Sequence, residues 1–474
     1  MKVRHKFMAV WMWLAVVSVA TGGAYKVEKK TVAFESLDGY ITCELFDPAF
    51  LHGDCAYTAL TSASDGKIYF SIGSHNNDYA SRFFCFDPAK KKVTELAKMD
   101  VATGEDAKKA HSQGKIHTRI FEHKQKLWFA THTGFYKLDP VGNNWVPGTE
   151  YKGKTPYRGA HFMNYDLASG KFTSLVCTVP NEGIISMTMD KGAEVLYGLT
   201  WPTGLLLSYD IKNKDFRCWG AVQGRGGWGA KPFEWQMICR TLALEPNGFL
   251  YGSTMHGKIW KYDPAGYSRL NFIEGLDLKR VPFAQSAEET LKGEFRNNWR
   301  TIEWNPKTES FWGLHFETST LFEFVPSQNY IRAIANLGHE AYWGMPRNPE
   351  ISQLGFTLGP KNTLFYLAHG PAVKIKDRTD IQSNLYLITY DIDRAKYTNH
   401  GPILSAGKRR VMFAESIAID PDGYIYCVAW VEVADPKRAE HILAVRLEGA
   451  PEETQLTPYE MLLVRLPQWQ TLLN

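Results

Sequence analysis

No CxxC pair occurs in this chain, and its seven cysteines (Cys43, Cys55, Cys85, Cys177, Cys218, Cys239 and Cys427) are scattered and odd in number. That spacing gives no zinc-ribbon ligand set and argues against a disulfide framework, with Cys43 and Cys55 the one pairing left open. No Gly-, Ser- or Pro-rich linker and no shift of composition divides the 474 residues, so one domain is expected despite the length. Neither sign of charge dominates. The 54 Lys and Arg exceed the 50 Asp and Glu by a formal +4, too weak and too dispersed for a nucleic-acid surface. The apolar run Phe7 to Ala20 is too short to span a bilayer comfortably, so no membrane span is expected. Lys2, Arg4, His5 and Lys6 precede it and small residues around Thr21 to Ala24 follow, the layout of a secretory signal peptide over 1–24. No cysteine lies near the cleavage zone, which speaks against a lipid anchor. The mature chain is expected to be exported, to a periplasm or beyond.

What the chain does contain is a repeat. Seven segments each begin as a short strand, turn at Asp, Asn or Gly, and continue into an aromatic strand: 56–73, 116–132, 185–201, 240–255, 300–316, 356–369 and 415–430. Further strands follow six of them, at 83–88, 161–166, 206–210, 259–264, 321–326 and 387–391, and more loosely the seventh, at 441–448. Self-similarity at several tens of residues, with hairpin turns and no helical periodicity between them, predicts an all-β, seven-bladed β-propeller over 25–474, its blades between about 45 and 450. Hydrophobic residues at 44% and aromatics at 14% suffice for packing between blades. Trp128, Tyr197, Tyr251, Trp312 and Tyr426 share one register of the second strand and are expected to be buried there.

In a propeller the innermost strands line a channel, so aligning the hairpins shows what each blade offers to its mouths. The first-strand position reads Thr58, His117, Ile185, Arg240, Arg300, Gly355 and Glu415; the second-strand end reads Gly73, His132, Trp201, Met255, Phe316, His369 and Trp430. Arg240, Arg300 and Glu415 form either a self-satisfying ionic plug or a binding site for an acidic sugar. His117 and His132 belong to one hairpin and can approach one another, and imidazole exchanges protons near neutral pH. Two imidazoles without a nearby Cys or acid make no metal site, so none is assigned and no cofactor is required.

The segments QGKIHTRIFEHKQKLWFATHTGFY (113–136), YRGAHFMNYDLASGKF (157–172), EGIISMTMD (182–190), LYGLTWPTG (196–204) and NNWRTIEWNP (297–306) resemble a family of secreted seven-bladed propellers. That family includes ulvan lyases, L-rhamnose-α-1,4-D-glucuronate lyases and α-L-rhamnosidases that remove rhamnose caps from arabinogalactan. For a lyase the resemblance implies a His pair, matched by His117 and His132, with a Tyr and an Arg from the next blade, where Ile185 and Trp201 stand instead. Arg240 on the following blade, or Tyr157, Arg158 and His161 beside the mouth, would have to stand in. For a rhamnosidase it implies a single essential His on the opposite face, for which His52 is the best match and His75 the next. It also implies a calcium ion on the channel axis. The leading expectation is a monomeric exo-α-L-rhamnosidase acting on an acidic polysaccharide or oligosaccharide, with His52, His117 and His132 catalytic and Arg240, Arg300, His161, Trp201 and His369 binding substrate. A lyase, a non-catalytic carbohydrate binder and a protein-interaction propeller stay open beside it.

Overall fold

Turn chemistry sets the repeating unit. At Asp65-Gly66 and Asp422-Gly423 the glycines take φ of 78° and 95°, a left-handed backbone that glycine enters without steric cost, and the two flanking strands fold back as a hairpin. A computed structural model describes residues 39–106, 108–138, 145–147, 155–222, 239–266, 270–281, 296–345, 353–373, 383–447 and 458–473. The protein is all-β in these residues. The first meander comprises Leu60–Ser62, Ile68–Ile72, Arg82–Asp87 and Lys92–Lys98; the second, Phe121–His123, Lys126–Ala130, His161–Asp166 and Lys171–Cys177. Three more of four strands each occupy 183–221, 243–277 and 299–336. All seven hairpins expected from the sequence are present, as are six of the outer strands.

The seventh outer strand is not where it was expected. Residues 441–447 belong to an α-helix, Pro436–Leu447. The sixth meander (Phe356–Gly359, Thr363–Pro371, Ser383–Asp391, Lys396–Ser405) and the seventh are fused in a nine-stranded sheet. In the seventh, Val411–Ala414 and Ala418–Ile419 pair with Tyr424–Val431, which pairs with Glu460–Gln468, and the last place is taken by Ile41–Phe46 from near the N-terminus. That strand aligns antiparallel to one neighbour, Glu44 opposite Arg465, and parallel to the other, Ile41 opposite Ile403.

The aromatic register of the second strands is explained by what each ring does at both ends. Trp128, Tyr197, Tyr251, Trp312 and Tyr426 are all at most 5% exposed, each ring's removal from water contributing about 1.5–3 kcal/mol. The polar atoms of four of them reach back to brace their own hairpin turns: Trp128 Nε1 donates to His123 O at 3.2 Å, Tyr251 OH to Glu245 at 2.8 Å, Trp312 Nε1 to Thr308 Oγ1 at 3.1 Å and Tyr426 OH to Asp420 at 3.0 Å. A buried Tyr or Trp whose polar tip is paired adds specificity to apolar burial. The apolar cores run in a closed cycle, first meander to second, second to third, and so on to the seventh against the first, where Tyr426 and Val428 pack on Phe70 and Phe84.

The seven cysteines are all free, including Cys43 and Cys55, so that pairing is not made. Among the described residues no helix is long and apolar enough to cross a membrane. The compact unit holding them spans Val32–Asn474, and the leader expected over 1–24 lies outside the described residues.

Candidate functional site

Residues that precede or open the first strands of several meanders meet in one cluster. There Tyr57 stacks on His117 with ring centroids 3.5 Å apart, and His117 lies 4.5 Å from His132. The Lys115 ammonium sits 5.5 Å over the Tyr57 ring. Backbone pairing holds the group: Lys115 and His132 exchange both of their hydrogen bonds, and Thr58 Oγ1 donates to His117 O at 2.6 Å. The hairpin thus brings the predicted His pair together.

The tautomer of His132 follows from its contacts. Its Nδ1–H donates to Thr133 O at 2.6 Å, which leaves Nε2 as the bare lone pair, buried and without a hydrogen-bond partner among the described residues. Burial pushes both imidazoles well below their usual pKa; His132 and Arg240 add to the effect at His117, and Lys115 and Arg240 at His132. Both rings are therefore neutral at neutral pH. Gly183 makes room for His132: a Cβ there would fall 2.4 Å from the ring.

A second chain of contacts, not anticipated from sequence, ends on Tyr57. His75 Nδ1–H donates to the buried Asp54 carboxylate at 2.9 Å, so His75 Nε2 is the acceptor facing Tyr57 OH at 3.5 Å. Burial opposes ionisation of Asp54, but the facing His75 together with Arg446 and Lys115 outweighs it and holds the carboxyl below its usual range. Burial pushes the Tyr57 phenol well up, so it stays protonated.

The cationic part lies on the fifth and seventh meanders and on Arg240, which precedes the fourth. Arg300 Nη2 meets Glu415 at 3.3 Å, its guanidinium lies 4.8 Å over Phe316, and its Nε is buried without a hydrogen-bond partner among the described residues. Burial, then the neighbouring Arg240, lower Arg300 to about 10, and burial lowers Arg240. The ionic plug and the binding site are thus both partly present: Arg300 is paired, yet still carries an unused donor. Arg119 of the second meander reaches Glu303 of the fifth at 2.6 Å, a pair between meanders distant in sequence that no hairpin alignment singled out. Calcium needs six to eight oxygens. Here the inner carboxylates Glu303 and Glu415 are taken by arginines, and Lys115 and Arg240 stand close by, so these residues do not fit a calcium ion.

Other expected site residues lie apart from this group. His52 lies two residues before Asp54 in the segment leading to the first meander, and its ring stacks on Tyr79 at 3.7 Å. His161 is buried, with both ring nitrogens engaged by Ser174 and Glu105. Tyr157, also buried, donates to Gln113. Trp201 is half-buried against the core of the third and fourth meanders, opposite Gly183. His369 meets Phe413 edge to face at 5.1 Å, and burial alone lowers it to about 4. A recess of about 520 Å³ lies at the far ends of the inner strands, lined by Ser64, Glu122, Pro360 and Asp420 among others; none of the site residues faces it.

No protein-family model matches this chain, and no curated protein matches it. Among solved structures it is similar to a chain of the crystal structure of the mitotic checkpoint complex, with TM-score 0.43 and 11% identity over 86% of this chain and 96% of that one. It is also similar to a putative 6-phosphogluconolactonase from Bacteroides uniformis, with TM-score 0.40 and 12% identity over 72% and 83%. Likenesses this faint say nothing about the site.

Proposed function

We propose that this chain is an exported seven-bladed β-propeller that cleaves a glucuronate-containing glycan by β-elimination. Closure of the packing cycle by the N-terminal strand supports the propeller. The observation that carries the chemistry is the pairing of a neutral imidazole, its Nε2 lone pair unengaged, with a protonated phenol against the same His117 ring. Elimination needs a base for the C5 proton, an acid for the leaving O4 and a cation for the carboxylate that makes C5 acidic. His132 Nε2 takes the C5 proton, the C4=C5 bond forms as C4–O4 breaks, and Tyr57 OH protonates the departing oxygen. As product leaves, His132 Nε2 returns the C5 proton to water and Tyr57 regains its own from water, with His75, which Asp54 orients, holding the phenol in place. Arg240 and the free donor of Arg300 hold the carboxylate. Tyr57 from the first blade thus replaces the tyrosine expected from the third.

This reading is favoured over the exo-rhamnosidase because His52 is stacked on Tyr79 outside the acid and base pair. Incubating the protein with ulvan and with gum arabic tests it: an ultraviolet-absorbing unsaturated uronate is expected. Release of free rhamnose without that absorbance would return the hydrolase reading, and affinity without turnover would indicate a binder.

A further inference from the structure

The outer half of the second meander gathers a thiol, an imidazole and a carboxylate that the elimination does not use. His161 opens the strand His161–Asp166 and Cys177 closes Lys171–Cys177, where the two residues are cross-strand partners. Glu105 follows the short helix Met99–Thr103, which ends at Gly104 with φ of 76° and turns the chain back onto that edge. One ligand atom from each of Glu105, His161 and Cys177 lies within 4.8 Å of the other two.

The surroundings are those of a metal site more than of a simple ion pair. His161 Nε2 faces Glu105 Oε1 at 3.0 Å, while its other nitrogen donates to Ser174 Oγ at 2.8 Å. Glu105 Oε2 accepts from Gln113 Nε2 at 3.0 Å, and Gln113 is itself fixed by Tyr157 OH at 2.9 Å. Each of the two ligands therefore has its outward atom anchored, which is how proteins orient the first ligands of a metal. An ion pair has no need of a thiol. Cys177 Sγ nevertheless stands beside the pair, within hydrogen-bonding reach of the His161 ring and of the backbone oxygens of Arg158 and Gly159, the latter two 3.5 and 3.9 Å away.

We propose that Glu105, His161 and Cys177 bind a zinc ion, with the fourth position left to water. Thiolate, imidazole and carboxylate together suit a borderline-soft dication that accepts tetrahedral geometry. Binding displaces the His161 and Cys177 protons to solvent, so affinity rises with pH. The site clasps the segment after Met99–Thr103 to the outer strands of the second meander, and it is independent of the elimination chemistry. The other three-residue group, Asp54, Cys55 and His75, is unsuited: burial and the Asp54 carboxylate hold the Cys55 thiol protonated, and its remaining members already serve Tyr57.

Calorimetric titration of the chelator-treated, full-length protein with Zn²⁺ should show one equivalent. Cys177→Ser and His161→Gln should each weaken it at least about 100-fold, and Ser174→Ala by about 10-fold, through loss of the outer hydrogen bond. Co²⁺ in place of zinc should give a sulfur-to-cobalt charge-transfer band that Cys177→Ser abolishes. Cys55→Ser should leave the stoichiometry and that band as they are. No bound equivalent, or one that survives Cys177→Ser with its band intact, overturns the assignment. Thermal melts of each variant separate a lost ligand from a lost fold, since Cys177→Ser is nearly isosteric.

Discussion

Gly183→Ala is the sharpest probe of the His132 geometry, because it leaves every proposed chemical group in place. The added Cβ would stand 2.4 Å from His132 Cδ2, 2.7 Å from Cγ and 2.8 Å from Nε2, where ordinary contact begins near 3.4 Å. The ring must therefore retreat by about 1 Å. It cannot do so while Nδ1 keeps its 2.6 Å bond to Thr133 O, and a shift of this size in a reacting group costs on the order of 100-fold in rate. Overpacking of this kind destabilises by about 1–3 kcal/mol, which a chain of this size can absorb. The assay is kcat for unsaturated uronate release, alongside denaturant unfolding. A fall near 100-fold in a folded variant is expected. Wild-type turnover in Gly183→Ala, with the alanine verified, would refute the placement of His132 as base.

Tyr57→Phe should lower kcat by at least about 100-fold with little change in KM, the usual scale for a lost general acid; equal activity would move that role elsewhere. Arg300→Ala leaves the buried Glu415 without its 3.3 Å partner and should destabilise by about 3–5 kcal/mol, read from urea unfolding; Arg300→Lys should recover part of it. His117 and His132 are held neutral in the fold, so below their ordinary value of 6.5 the unfolded chain takes up protons that the native one refuses. Their neutral burial therefore costs stability progressively as pH falls below about 6.5, and His117→Gln should flatten that acid limb. In the chelator-treated, metal-free protein His161 has the opposite sign: raised to about 9, it contributes stability fully below 6.5 and loses it as pH climbs through 9, a loss that His161→Gln should remove from a melting-temperature series taken without zinc.

Local pattern made the hairpins legible. Asp-Gly and Asn-Gly turns between aromatic strands specify their own pairing within about twenty residues, and the register of Trp128, Tyr251 and Tyr426 carried over directly into burial. The seventh meander was not legible, because its last strand comes from 41–46 and no local rule announces a partner some 360 residues away. HILAVRLE reads as a strand by its β-branched residues, yet tertiary context makes residues 441–447 helical. Alignment on the turns located His117, His132, Arg240, Arg300 and Glu415, since a strand's period fixes which side chains face the channel. It missed Asp54 and Tyr57, and His75 was named only through the resemblance; all three lie in the loops around the first hairpin, where periodicity ends and only the folded path brings them together. The likeness to rhamnosidases drew attention to His52, a neighbour of Asp54 in sequence whose ring is turned to Tyr79.

The clasp made by Ile41–Phe46 also sets the timetable of biosynthesis. This strand is synthesised some 360 residues or more before either of its partners, 403–405 and 463–465. Until they emerge, the early meanders can gather only as an open arc whose terminal edges lack neighbours, and loop closure over so long a separation is slow. A polypeptide that cannot lock before these partners arrive stays pliable until then, and gains its resistance to unfolding only once the strand has closed on them.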